Sequence, residues 1–295
     1  MKAVLFVGHG SQLKEGNQEV SAFVEKMLPT MDGNLIVETC FLEFETPNIP
    51  QGIAACVNRG ATDIHVIPII LLPAGHSKIH IPAAIDEAKE KYPNVNFTYG
   101  RPIGVHEQIL EILTSRLQEA GLDINVNHEE TAILLIARGG SDPDANSDFY
   151  KISRLLWEKL DVKYIENAFM GVTSPSVDEV IEPCLKLGAK KIIMLPYFLF
   201  TGVLMERMAD WKDIYEKQYP ECEFVLAEYF GYDPKLQIIL QDRVAEALQG
   251  TVKMNCDTCK YRIDAMEFVD HHHHHDHSHH HHHHHEHHDK TESVK

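Results

Sequence analysis

An internal repeat constrains this chain more than any other feature. Val4-Leu5-Phe6-Val7-Gly8-His9-Gly10-Ser11 lines up with Leu134-Leu135-Ile136-Ala137-Arg138-Gly139-Gly140-Ser141 at an offset of 130. Thr46-Pro47 matches Ser174-Pro175 at an offset of 128, as does Gly60-Ala61 followed by Pro68 with Gly188-Ala189 followed by Pro196. Gly104 and Arg116 match Gly231 and Arg243 at 127. Glycine and proline dictate backbone conformation, so chance apolar patterning would not keep them in step across four segments. The chain therefore reads as two copies of one unit, 1–125 and 130–250, each long enough for its own core, followed by a segment 251–295 of different character.

Both copies alternate short β-branched and aromatic runs with amphipathic stretches. Strands are expected at 4–7, 35–41, 64–71, 95–99, 132–137, 164–170, 191–195 and 224–227. Helical patterns fall at 17–28, 81–91, 106–120, 149–160, 177–187, 205–218 and 235–248. Regular alternation of strand and helix implies an α/β fold with parallel sheets covered on both faces. The expectation is two homologous Rossmann-like units facing a central cleft, with ligands at the carboxyl edges of the strands.

No apolar run approaches the roughly eighteen residues that a membrane span needs. The start carries one basic residue and a short apolar run ending at Gly8, which reads as a first strand rather than a signal peptide. Four solitary cysteines (Cys40, Cys56, Cys184, Cys222) and one pair suit a reducing compartment, so the cytoplasm is expected. A formal charge of −17 disfavours nucleic acid and anionic membranes and favours cations.

The strand-end loops of the first copy carry His9, Glu43 and His76, where the second copy aligns Gly139, Gly171 and Leu204. Three donors or proton acceptors converging on one sheet edge are what a metal-handling or acid–base site requires. A lone histidine at a strand end often makes only a structural hydrogen bond. Glu43 is harder to explain that way, because a carboxylate among Phe41, Leu42 and Phe44 needs a partner or a shifted pKa. His80 lies four residues after His76 and either assists or is solvated; His65, His106 and His128 read as surface residues. Gly8-x-Gly10-Ser11 lacks the third glycine of a dinucleotide fingerprint, and its glycines read as allowing close approach to a flat ligand.

Cys256-x-x-Cys259 supplies half of a zinc or iron–sulfur site. The remaining ligands must come from a second subunit, which would make a homodimer, from the solitary cysteines, or from other residues. The tract 271–288 holds fifteen histidines interrupted by Asp276, Ser278 and Glu286, followed by Asp289-Lys290-Thr291-Glu292-Ser293-Val294-Lys295. Interruptions and a continuation are unlike a purification tag, so a natural tail binding late first-row divalent ions is expected.

Val7-Gly8-His9-Gly10-Ser11, Phe41-Leu42-Glu43 and Pro73-Ala74-Gly75-His76 resemble the class II chelatases that insert metal into sirohydrochlorin. With Met254-Asn255-Cys256-Asp257-Thr258-Cys259 and the histidine tract, the chain is most similar to the long CbiX-type sirohydrochlorin cobaltochelatases, over essentially its whole length. One departure is His80, where the family often has an acidic residue. The resemblance implies insertion of Co2+ into sirohydrochlorin on the anaerobic route to cobalamin. His9, Glu43 and His76 would handle the metal and protons, and Cys256 and Cys259 would hold an iron–sulfur cluster. Sirohydrochlorin carries eight carboxylates, and Lys78, Arg101, Arg138 and Arg207 are the candidate cations for them. Two rival readings are iron insertion giving siroheme, at the same kind of site, and a metallochaperone or metal-storage protein whose body merely carries the tail.

Overall fold

In the computed structural model, the described residues are 1–251, without the side chain of His76; the Cys256/Cys259 pair and the histidine tract lie outside them. The first copy runs β1 (Lys2–Gly8), α1 (Lys14–Met27), β2 (Ile36–Phe41), α2 (Ile49–Asn58), β3 (Asp63–Ile69), a π-helical turn (His76–His80), α3 (Ile81–Lys91), β4 (Asn96–Tyr99) and α4 (Glu107–Glu119). The second runs β5 (His128–Ala137), α5 (Pro143–Trp157), β6 (Val162–Phe169), α6 (Val177–Lys186), β7 (Lys191–Pro196), α7 (Val203–Gln218), β8 (Glu223–Leu226) and α8 (Pro234–Gln249). Each copy forms a four-stranded parallel sheet, β2-β1-β3-β4 and β6-β5-β7-β8. All eight expected strands are present.

One helix falls outside the expected set. In α2, Ile-Pro-Gln-Gly-Ile-Ala-Ala-Cys-Val-Asn offers little polar face for a periodicity reading. It is fixed at its start instead: Asn48 and Gln51 form a reciprocal capping box, repeated by Ser176 and Glu179 ahead of α6.

Five layers result. Helices α2 and α3 cover the outer face of the first sheet, and α6 and α7 that of the second. Between the sheets, α1, α4, α5 and α8 bury their apolar faces in one continuous core that includes Phe6, Phe23, Ile112, Phe149, Leu195 and Ile239. The packing crosses the repeat boundary. α8, from the second copy, lies against β3 of the first, and α4, from the first, lies against α5 and β7 of the second. Reciprocal arginines pin this exchange. Arg116 Nε donates to the Tyr229 carbonyl at 2.8 Å and Arg243 Nε to the Pro102 carbonyl at 3.0 Å, with second donations to Phe230 and Ile103. Arg101 closes the same network with two hydrogen bonds of 2.8 Å to the Glu246 carboxylate.

Among the described residues no helix is long and apolar enough to cross a membrane. The four solitary cysteines all lie in the core, where burial raises their thiol pKa values, that of Cys222 to about 11. They are packed as small hydrophobes. His65, expected at the surface, is buried on β3 at 6% exposure, and neither ring nitrogen meets a hydrogen-bond partner. His106 is partly buried as the N-cap of α4, its ring accepting from the Gln108 amide; His128 lies against the Asp123 carbonyl.

Candidate functional site

A strand order of 2-1-3-4 sends the chain one way after β1 and back across it to β3, which opens a crevice at the carboxyl ends of these strands. His9 is the first residue beyond β1, Glu43 is two residues beyond β2, and the backbone of His76 opens the π-helical turn after β3. The topology thus brings all three expected positions to one edge of one sheet. The corresponding edge of the second sheet faces it. Together they bound a cleft of about 570 Å3, within the roughly 300–1,000 Å3 of small-molecule sites. Most of the lining is apolar, including residues 69–72 and 198–200.

His9 Nδ1 lies 3.5 Å from Glu43 Oε1 and 3.0 Å from the Gly10 carbonyl oxygen. A carbonyl and a carboxylate only accept, so Nδ1 carries a ring proton, and in the neutral ring the lone pair is then on Nε2. The side chains are 38% and 36% exposed, open to a ligand entering the cleft. Glu43 is therefore not submerged among apolar neighbours. Phe41 turns into the core while Phe44 is exposed, leaving the carboxylate between them at the cleft beside its histidine.

The glycine of this loop serves the protein rather than a flat ligand. Gly10 has φ +91°, and a Cβ there would lie 1.7 Å from the Glu43 carbonyl oxygen. The His9 and Glu43 loops can meet only because nothing is there. They are tied again by the Glu43 amide donating to the His9 carbonyl at 3.1 Å.

Sequence reasoning missed the residues that hold these loops. Asn17 on α1, 5% exposed, accepts from the Ser11 amide at 2.7 Å, donates to the Ser11 carbonyl at 2.8 Å, and donates to Glu45 at 3.0 Å. One buried amide thus couples both loops. A signal was available: Asn146 makes the same bond to the Gly140 carbonyl in the second copy, at 2.8 Å. In the π-helical turn, buried Ser77 donates to the Ala74 carbonyl at 2.9 Å, and Tyr99 donates to the Ser77 carbonyl at 2.7 Å. Such single π-helical turns concentrate at functional sites. His80, at the end of the turn, is exposed.

Sheet register corrects the alignment of the two copies. Gly8 pairs with Phe41 and Ala137 with Phe169; Val7 pairs with Pro68 and Ile136 with Pro196. The offset along the first strand is therefore 129, and the counterpart of His9 is Arg138, not Gly139. Gly139, with φ +82°, is instead the partner of Gly10 and packs on the Gly171 carbonyl in the same way. Phe44 and Val172 both sit in left-handed backbone, at φ 64° and 71°. The loop backbones are the same; the side chains change from His9 and Glu43 to Arg138 and Gly171.

The four candidate cations separate. Lys78 reaches the second copy, meeting Asp142 at 2.7 Å and Asp144 at 3.3 Å, which raises its pKa and lowers that of Asp142. Arg101 is held by Glu246. Arg207 is exposed on α7 and is not in the cleft wall. Arg138 lines the cleft. Among the described residues no cluster of three or more His, Cys, Asp or Glu side chains could hold a metal ion, and His9 with Glu43 makes two.

Comparison with known proteins agrees with this architecture. The CbiX family model matches twice, at residues 3–120 and 132–247. A sirohydrochlorin cobaltochelatase of Priestia megaterium is 63% identical over 272 residues, covering 92% of this chain and 88% of that one. A sirohydrochlorin ferrochelatase of the same organism is 38% identical over 250 residues, covering 85% of this chain and 92% of that one. The structure of SirB from Bacillus subtilis with Fe3+ superimposes with a TM-score of 0.73 at 35% identity, covering 83% of this chain and 95% of that one. By its doubled fold, its strand-end loops and these matches, the chain belongs to the CbiX family.

Proposed function

We propose that this protein inserts Co2+ into sirohydrochlorin, with release of two pyrrole protons. The observation that carries the reading is the His9–Glu43 pair at the mouth of an apolar cleft, in a chain 63% identical to a sirohydrochlorin cobaltochelatase. Metallation strips water from the ion and removes two N–H protons from the macrocycle. The Nε2 lone pair of His9 supplies a donor to the ion or a base for a proton. Glu43, 3.5 Å from the other ring nitrogen, stabilises the imidazolium that results or takes a proton itself. His76 is the third member, a reading supported by its backbone position at the start of the π-helical turn after β3. Catalysis belongs to the copy spanning 1–125; the copy spanning 130–250 supplies the opposite wall.

Iron insertion is the second reading, favoured by the 38% identical ferrochelatase and by the iron in the SirB structure. Anaerobic mixing of enzyme and sirohydrochlorin with Co2+ and Fe2+ in parallel, followed by the tetrapyrrole absorption spectrum, separates the two. A faster shift with Co2+ is expected; a faster shift with Fe2+ reverses the assignment. No shift with either leaves the metallochaperone reading. The segment 251–295 collects divalent ions for the cleft through its histidines, and Cys256 and Cys259 hold an iron–sulfur cluster outside the insertion step, completed across a homodimer. The buried state of the solitary cysteines supports ligands from a second subunit. Anaerobically purified protein should be brown, with iron and acid-labile sulfide; a colourless protein with stoichiometric zinc overturns the cluster.

A further inference from the structure

The second copy keeps the loop scaffold of the first and inverts its charge. Arg138 occupies the position of His9, directly after the central strand, and Gly171 occupies that of Glu43. The Gly171 amide donates to the Arg138 carbonyl at 3.1 Å, the counterpart of the Glu43–His9 bond. The backbone at Arg138 is therefore as firmly placed as that at His9. Gly139 tolerates no side chain there, since a Cβ would lie 2.3 Å from the Gly171 carbonyl oxygen, and Asn146 ties down Gly140. With no carboxylate at 171, the guanidinium is left without its own counter-charge. Among the described residues it makes no hydrogen bond or ion pair, whereas Lys78 and Arg101 are both neutralised by carboxylates.

From this we infer that Arg138 is the anchor for a carboxylate of the macrocyclic substrate, holding it against the second-copy wall so that its pyrrole nitrogens face the His9–Glu43 wall. The inference rests on the proposed function above. Three observations converge on it. A planar guanidinium matches a carboxylate with two parallel hydrogen bonds. Arg138 is solvent-exposed where it lines the mostly apolar cleft, so its guanidinium is accessible to an entering carboxylate and the attraction depends on salt. A chain of net charge −17 repels a polyanionic ligand unless an uncompensated cation is placed at the site. The duplicated strand end thus divides the work: one copy handles metal and protons, and the other fixes the ring.

The test is fluorescence titration of sirohydrochlorin, without metal, into the full-length protein and its Arg138→Lys, Arg138→Leu and Arg138→Glu variants. Arg207→Leu, an exposed cation outside the cleft wall, is the control for general charge. Kd should rise in the order wild type, Lys, Leu, Glu, with Leu weakened about tenfold or more, as expected for lost charge-assisted hydrogen bonds. Raising ionic strength should weaken binding to wild type more than to Arg138→Leu. Unchanged affinity in folded Arg138→Leu, equal affinities of the Leu and Glu variants, or an equal loss in Arg207→Leu each overturns the anchor. If wild type itself does not bind sirohydrochlorin, the functional reading falls first and the anchor with it, and the two failures are distinguished by the wild-type titration alone.

Discussion

Replacing Arg243 by methionine should destabilise the protein by about 3 kcal/mol while its symmetry mate Arg116 costs less. Arg243 is 1% exposed and donates to the Pro102 and Ile103 carbonyls and to Glu246 Oε1 at 3.0 Å. Burial and the nearby Arg101 charge lower its pKa to about 10, so it remains charged at neutral pH. Methionine fills most of the volume but leaves two carbonyls without their charged donor, each hydrogen bond being worth about 1.5–3 kcal/mol. Removing one member of a buried ionic network costs about 3–5 kcal/mol when the partner is stranded. Glu246 is not stranded, because Arg101 still gives it two hydrogen bonds of 2.8 Å, which places the estimate at the lower end. Arg116 is 13% exposed, so water can replace part of what it gives Tyr229 and Phe230. The assay is urea unfolding followed by tryptophan fluorescence and circular dichroism, with coincident transitions required. A loss below about 1 kcal/mol for Arg243→Met, or an equal or larger loss for Arg116→Met, would refute the claim that buried reciprocal arginines pin the exchanged helices.

At the site, His9→Ala and Glu43→Gln should each slow Co2+ insertion about a hundredfold in folded protein; a variant keeping half of the wild-type rate removes that residue from the mechanism. Replacing buried, unpartnered His65 by isoleucine, the residue at the equivalent Ile193, should raise stability by about 1 kcal/mol at pH 7.5. Burial first, then the Lys2 charge, lowers the folded pKa of His65 below its unfolded value near 6.5. Both states are neutral above that value; as pH falls through it the unfolded state alone takes the proton, and stability is lost down to the folded pKa. The Tm of wild type should therefore drop between pH 7.5 and 5.5 more than that of His65→Ile, and equal drops would exclude His65 as the cause. Removing residues 270–295 should leave the rate at saturating Co2+ nearly unchanged but raise the concentration needed to reach it; inactivity at abundant Co2+ would contradict a collecting role for the tail.

The sheets were legible because parallel strands buried on both faces are written as apolar runs, and Lys191 to Leu195 needs no tertiary information to be read as one. His9 and Glu43 were legible for the opposite reason, as polar residues at the ends of such runs. The register of the second copy was not. Aligning Ser11 with Ser141 satisfies residue identity, whereas the fold aligns the two left-handed glycines, Gly10 and Gly139, and that conformation is invisible in a string holding Gly139 and Gly140 side by side. His65 was misread because a histidine in a β-branched run gives no sign of which helix will cover it; here it is α8, from more than a hundred residues away in the chain. The pairings of Lys78 with Asp142 and of Arg101 with Glu246 are likewise products of assembly.

The exchanged helices bear on how such a chain can change over time. Each copy closes part of the other's core, so losing either would expose apolar surface on its neighbour. Duplication usually leaves a spare part that is free to be lost; here the spare also packs the core of the copy that carries His9 and Glu43. Its chemistry, by contrast, is under no such obligation. That combination retains the backbone conformation of the second set of loops, down to the left-handed Val172 and the Asn146 tether, while releasing the side chains they carry. A position like 138 is then a ready-made backbone site in which a new residue type can be tried while the His9 and Glu43 loops themselves stay unchanged.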